Sequence, residues 1–294
     1  MRKEKELKRP IVSFIILTNI IFLPLFLVVG ATKMLGFPTV VFDIALCISS
    51  WSSTFAFMVL FKRIYPDQSF IAYIKDRFKN KLKFSIVATV ISIQVLIAVV
   101  VLAIMSYGDN GMVPSVTTTS LGMFTYVFMK NLFAGPLGEE LGWRGFALNE
   151  LQKTYSPLKA SIIIGFFWGM WHLPTWFATG FAGLYLIKYI TFFMIAIISI
   201  SIIMTAFYNL NKNLLVPIMI HQLFNFLIGI SRGDVIVGIK YYAILYLVVA
   251  IIVVVINPRI VLYSNASMIG KKTNGPMNVI YEKENSYGNK KSYR

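Results

Sequence analysis

Acidic residues are scarce in this chain of 294 residues, with 12 Asp and Glu against 28 Lys and Arg and a formal net charge of +16. Cysteine is reduced to Cys47, and there are only two histidines. One cysteine excludes an intrachain disulfide framework and any cysteine-based metal centre; its place in an apolar run marks it as a small core filler. The chain has no G-x-S-x-G nucleophile elbow and no H-E-x-x-H zinc motif, which removes the two commonest sequence signatures of hydrolases. It also shows no repeat of solenoid length and no half-to-half symmetry of the transporter kind. Charged residues make up only 14% of the chain while 57% is hydrophobic, and the mean hydropathy is +0.72. A water-soluble globular protein is excluded by that balance.

What is present is a series of long apolar runs. A hydrocarbon core of about 30 Å takes about 20 apolar residues per helix, and eight windows of that kind occur, at about 11–31, 41–61, 84–106, 121–148, 158–178, 184–208, 213–231 and 240–257. Continuous runs rather than alternating ten-residue segments predict an all-α polytopic bundle of about eight transmembrane helices, not a barrel. The first window is too long for a signal peptide and no small-residue cleavage site follows it, so it reads as a retained helix. The expected organisation is a basic N-terminus over 1–10, a membrane domain over 11–258 with its motifs concentrated in 121–231, and a basic tail over 259–294. Residues 263–294 lack apolar periodicity and read as a mobile tail; the tail does not end in a prenylation box.

The location of the positive charge gives its meaning. Five Lys or Arg lie in the N-terminus, seven in the expected loop "KRIYPDQSFIAYIKDRFKNKLK" (62–83) and seven from Arg259 onward, whereas the expected loop "YGDNGMVPSVTTTS" (107–120) has none. If eight spans alternate, the basic segments share one side, and the positive-inside rule makes both termini of a multi-pass cell-membrane protein cytoplasmic. The expected electrostatic partners are anionic lipid headgroups, and no nucleic-acid partner is required.

An ionised side chain at mid-bilayer costs about 2.5–3.5 kcal/mol on insertion scales, so such residues usually face a cavity and carry function. Within the windows stand Asp43, Lys130, Glu139, Glu140, Arg144, His172, Lys188, and His221 with Asn225. Glu140 and Arg144 are i,i+4 with the acid N-terminal, the favourable order for an ion pair on one helix face. Glu139 is rotated from Glu140 by about 100° on a regular helix and is free to point elsewhere. Trp168 and His172 are i,i+4, as are His221 and Asn225, and Pro174 and Pro217 lie close to the two histidines. Helices broken beside polar residues suggest a lined cavity. A buried glutamate is a candidate general base. A neutral histidine beside it can share a water, and a second histidine with an amide can donate to a developing oxyanion. That set of groups fits hydrolysis of an acyl bond, most naturally a peptide bond.

On these residues the sequence resembles the CAAX prenyl protease and bacteriocin-processing (CPBP) family of intramembrane endopeptidases. "EELGWR" matches its Glu-Glu-x-x-x-Arg motif at Glu139, Glu140 and Arg144. "WGMWH" approximates Phe-x-x-x-His at Trp168 and His172, with Trp in place of the usual Phe, and "HQLFN" matches His-x-x-x-Asn/Asp at His221 and Asn225. The resemblance covers about 121–231. It implies a glutamic peptidase without a cofactor, in which Glu139 and His172 activate water, His221 and Asn225 form the oxyanion hole, and Arg144 with Glu140 supports the site. Trp168 is then a candidate for the substrate pocket, and the partner is a peptide or membrane-protein substrate in maturation or bacteriocin immunity. The Lys-, Ile- and Asn-rich usage suggests a bacterial chain, for which prenylated substrates are not expected. Two alternatives stand beside this reading: zinc held by Glu139, His172 and His221 with a water in the fourth position, and a non-catalytic immunity or scaffold protein.

Overall fold

A computed structural model describes residues 9–108, 120–231, 233–256 and 259–263. In chain order the helices are α1 (Pro10–Met34), α2 (Thr39–Ser50), α3 (Ser52–Ile64), α4 (Phe70–Phe78), α5 (Phe84–Gly108), α6 (Leu121–Phe133) and α7 (Pro136–Glu140). The last continues through a π-helical stretch, Leu141–Leu148, into α8 (Asn149–Leu151). There follow α9 (Pro157–Trp171), α10 (Leu173–Phe177), α11 (Gly183–Asn211), α12 (Leu215–Ile230), α13 (Val235–Ile256) and α14 (Arg259–Leu262). No β-strand occurs among the described residues, and the protein is an all-α membrane protein.

Four helices, α1, α5, α11 and α13, are long and apolar enough to cross a membrane, or five spans if α2 and α3, bent by 40°, are taken as one. The expected count of about eight is not reached on that criterion, because the fourth, fifth and seventh windows hold shorter pieces. Gly135-Pro136 divides the fourth window into α6 and α7: Pro136 has no N–H to continue α6 but suits the first turn of a new helix. In the fifth window His172 ends α9 and opens α10, with Pro174 in the first turn of the latter. Pro217 breaks nothing, since it falls in the first turn of α12, which has 16 residues.

The long helices are apolar on both sides. In α1, Phe14, Thr18 and Phe22 face inward at helical spacing, while Val12, Ile16, Ile20, Leu23 and Leu27 are exposed, as expected of a helix between a protein core and lipid. Inside the bundle α11 packs against α9, α12 and α13, while α1 packs against α2 and α3 and α5 against α12 and α13. Gly165 and Gly169 bring α9 close to α11: a Cβ on Gly165 would lie 2.9 Å from Ile198 Cα, and one on Gly169 2.5 Å from Met194 Sδ.

The basic 62–83 segment, expected as a loop, contains α4 and is pinned to the α11–α12 turn. There Lys212 takes a left-handed backbone conformation, Leu214 N–H donates to the Arg77 carbonyl at 2.9 Å, and Asn213 Nδ2 donates to the carbonyls of Phe78 and Asn80. The basic tail opens with a helical turn, α14, whose Val261 and Leu262 are buried; the expected mobile tail from 264 onward and most of the basic N-terminus lie outside the described residues.

Candidate active site

Glu139 and Glu140 end the short helix α7, and Arg144 follows in the π-helical stretch; all three are buried, with Glu140 and Arg144 at 0% exposure. This segment is held close to α2 and α3 by glycines. A Cβ on Gly138 would lie 2.3 Å from Trp51 Cδ1, and one on Gly142 would lie 2.7 Å from the Ser53 backbone. Where the regular helix fails, freed carbonyls find donors, as buried backbone groups must. Trp51 Nε1 donates to the Phe133 carbonyl at 3.0 Å, and the Ser53 hydroxyl donates to that of Glu139 at 3.2 Å. The Tyr73 hydroxyl donates to the Gly145 carbonyl at 2.6 Å, and Asn149 Nδ2 to that of Arg144 at 2.7 Å.

The two adjacent carboxylates have different partners. Glu140 Oε1 accepts from Arg144 Nη1 at 3.0 Å and from His221 Nδ1 at 2.8 Å, so the i,i+4 pair read from the sequence is present and is extended by a histidine from α12. Glu139 joins no ion pair among the described residues; its Oε2 accepts from Trp168 Nε1 at 2.6 Å. Trp168, on α9, is fully buried. Its ring lies under the Arg144 guanidinium, 4.0 Å from centroid to Cζ, and edge-on to His221 at 4.9 Å.

The histidine tautomers follow from these bonds. His172 Nδ1 lies 2.8 Å from the Trp168 carbonyl. A carbonyl only accepts, so Nδ1 carries the hydrogen and Nε2 of the neutral ring keeps its lone pair. His221 Nδ1 faces a carboxylate and likewise carries a hydrogen, which leaves Nε2 on the opposite side of the ring. A Cβ on Gly135 would lie 3.7 Å from His221 Nε2 and 2.9 Å from Asn225 Nδ2. The bare Cα of Gly135 therefore marks a point toward which the two polar groups of α12 converge.

Of the residues singled out from the sequence, Glu139, Glu140, Arg144, Trp168 and His221 are joined by hydrogen bonds, an ion pair and ring contacts, and His172 is attached through the Trp168 backbone. Asn225 shares the Gly135 position with His221. Trp168 has no exposed surface with which to line an open pocket. Asp43 and Lys130 form a separate ion pair at 2.7 Å, joined by the Tyr126 hydroxyl, beside an apolar cavity of about 470 Å³ between α2 and α6. Lys188 is exposed on α11. Among the described residues no three His, Cys, Asp or Glu side chains are grouped so as to hold a metal ion.

Sequence reasoning missed the supports Trp51, Ser53, Tyr73, Asn149 and Gly135. The Gly-Pro dipeptide at 135–136 was a signal that the helix breaks there, and hence that carbonyls nearby need side-chain donors.

The family model described as type II CAAX prenyl endopeptidase, Rce1-like, matches residues 121–227. CAAX prenyl protease 2 of Methanococcus maripaludis is 39% identical over 92 residues, which cover 30% of this chain and 34% of the relative. The chain thus matches about one third of that relative's length, and the matched family region contains α6 through most of α12 with every residue of the candidate site. Across residues 121–227 the chain is similar to the Rce1-like, type II CAAX prenyl endopeptidase family.

Proposed function

We propose that the protein is a membrane-embedded endopeptidase in which Glu139 is the general base for water. The observation that carries this reading is the unequal treatment of two neighbouring buried carboxylates. Glu140 is paired with Arg144 and hydrogen-bonded by His221, whereas Glu139 has a neutral N–H donor on one oxygen and no ion-pair partner among the described residues. A carboxylate without a fixed cation retains its capacity to take a proton. His172 Nε2, an acceptor, helps Glu139 orient the water. The water oxygen attacks the peptide carbonyl carbon, its proton passes to Glu139, and the carbonyl π electrons move to oxygen. His221 Nε2–H in the imidazolium form and Asn225 Nδ2 stabilise that oxyanion, and Glu140 on Nδ1 stabilises the imidazolium. The Glu139 proton then goes to the departing amine as the C–N bond breaks. No step requires a metal.

The proposed substrate is a peptide or membrane protein, in maturation or bacteriocin immunity; a prenylated CAAX peptide, denoted by the relative's name, belongs in the same assay. Membrane peptides from cells expressing the wild type and Glu139→Gln are compared to find a product that only the wild type makes. With that substrate, purified Glu139→Gln is expected to lose about 10²–10⁴-fold in kcat while folding normally; full activity overturns the reading. Chelation is expected to leave activity intact, and stoichiometric zinc lost together with activity replaces the metal-free reading with the zinc one. An immunity assay in which Glu139→Gln still protects the cell favours the non-catalytic role.

A further inference from the structure

We propose that Trp168 is a positioning residue: its indole N–H fixes the rotamer of Glu139 and its backbone fixes the tautomer of His172, so one residue aligns both groups that face the water. The inference rests on the reading of Glu139 as the base, but its central bond can be tested without any activity.

Three observations carry it. The Nε1–H donates to Glu139 Oε2 at 2.6 Å, a short bond of the charge-assisted kind. With Oε2 held, the carboxylate cannot rotate freely, and Oε1 is the oxygen left to meet a water. The carbonyl of the same residue takes the His172 Nδ1 hydrogen at 2.8 Å, which turns the Nε2 lone pair away from the helix.

The indole itself is immobilised. It is fully buried, covered by the Arg144 guanidinium on its face at 4.0 Å and by His221 against it at 4.9 Å. Its helix is locked to α11 through Gly165 and Gly169, where even a methyl group would collide. A phenylalanine at 168 keeps an aromatic ring beside Arg144 and His221 but loses both the N–H and the volume of the second ring. Trp168→Phe is therefore read together with Glu139→Gln, which removes the carboxylate and leaves the indole packing in place.

A group with no exposed surface does not touch substrate. Its loss is expected to appear in the rate of the chemical step and not in binding, because misplacing a catalytic group is costly even when the fold is unchanged. With a substrate found as above, Trp168→Phe is expected to lower kcat about 10- to 100-fold, as for one hydrogen bond to a charged group, with KM unchanged. Equal kcat, or a change confined to KM, overturns the proposal.

The second measurement needs no substrate. The five tryptophans give five indole N–H resonances in a ¹⁵N-labelled sample in detergent, and Trp168→Phe identifies the one that belongs to residue 168. That resonance is expected to move upfield in Glu139→Gln, where a neutral amide replaces the carboxylate, while the other four stay. If it does not move, the bond is absent and the proposal fails. If it moves but Glu139→Gln retains full cleavage, the bond stands and the general-base reading fails, and the positioning role falls with it.

Discussion

The helices that cross without interruption and the helices that break differ in more than geometry. α1, α5, α11 and α13 contain no acidic residue, and in α1 and α13 only 17% and 22% of the apolar window is buried. The broken pairs, α6 with α7 and α9 with α10, carry both glutamates, Arg144 and His172. Breaking a helix in hydrocarbon exposes backbone groups at several kcal/mol each, so irregular backbone is tolerated only where protein or a polar cavity satisfies it. Here Trp51, Ser53, Tyr73 and Asn149 supply that satisfaction. The same enclosed environment accommodates the charges. Buried charge and backbone irregularity are thus placed together.

The largest expected effect breaks the charge balance of the interrupted region. Arg144→Met leaves the Glu140 carboxylate fully buried with His221 Nδ1 as its remaining hydrogen-bond donor, and removing one member of a buried pair costs about 3–5 kcal/mol. A marked fall in the thermal unfolding midpoint in detergent is expected, with partial recovery in the Glu140→Gln, Arg144→Met double variant. An unchanged midpoint for Arg144→Met would show that the pair does not hold this region.

The next effect contrasts glycines. Gly142→Ala forces a methyl to within 2.7 Å of the Ser53 backbone, an overpacking worth about 1–3 kcal/mol, and it displaces the segment carrying both glutamates, so stability and cleavage should fall together. Gly30→Ala in the uninterrupted α1 meets nothing within 4 Å. There the better helix former is expected to be neutral or stabilising by about 0.5–1 kcal/mol. Equal losses at both positions would remove the distinction between the two regions.

Tyr246→Phe probes a polar contact between two regular helices, the bond from Tyr246 on α13 to Gln94 on α5. Interhelical hydrogen bonds in membranes average about 0.6 kcal/mol. A small fall in melting temperature with unchanged cleavage is expected; loss of cleavage would show that the outer helices take part in the site.

The legibility of the sequence divides along the same line. The regular helices were read directly because a continuous apolar run has one physical outcome in a membrane. The candidate residues stood out because charge is so expensive there that each exception is informative, and the Glu140–Arg144 pair seen in the structure followed from i,i+4 spacing. What spacing did not give was the third dimension. His221 meets Glu140 from another helix, and Trp168 bonds Glu139 across 29 positions of sequence. The window at 121–148 read as one helix because average hydropathy is blind to a single Gly-Pro, whereas the backbone is not. The 62–83 segment read as a loop because its charge masked the short helix that buries Tyr73 against the π-helical stretch.

The smallest expected effect tests whether charge alone marks the functional region. Asp43 and Lys130 are also an ion pair between apolar helices, at 2.7 Å, but their side chains are 13% and 30% exposed. Partial exposure screens the pair, and exposed pairs are worth about 0–1 kcal/mol. The double variant Asp43→Asn, Lys130→Met is expected to lose less than about 1 kcal/mol and to cleave as the wild type does. Its counterpart in the site, the Glu140→Gln, Arg144→Met double variant, is also freed of unpaired charge, yet it has lost the carboxylate charge beside His221 and is expected to remain inactive. If the Asp43, Lys130 variant is inactive too, the ion pair beside the α2–α6 cavity belongs to the working site. The boundary between regular and interrupted helices would then have to be drawn wider, to include α2.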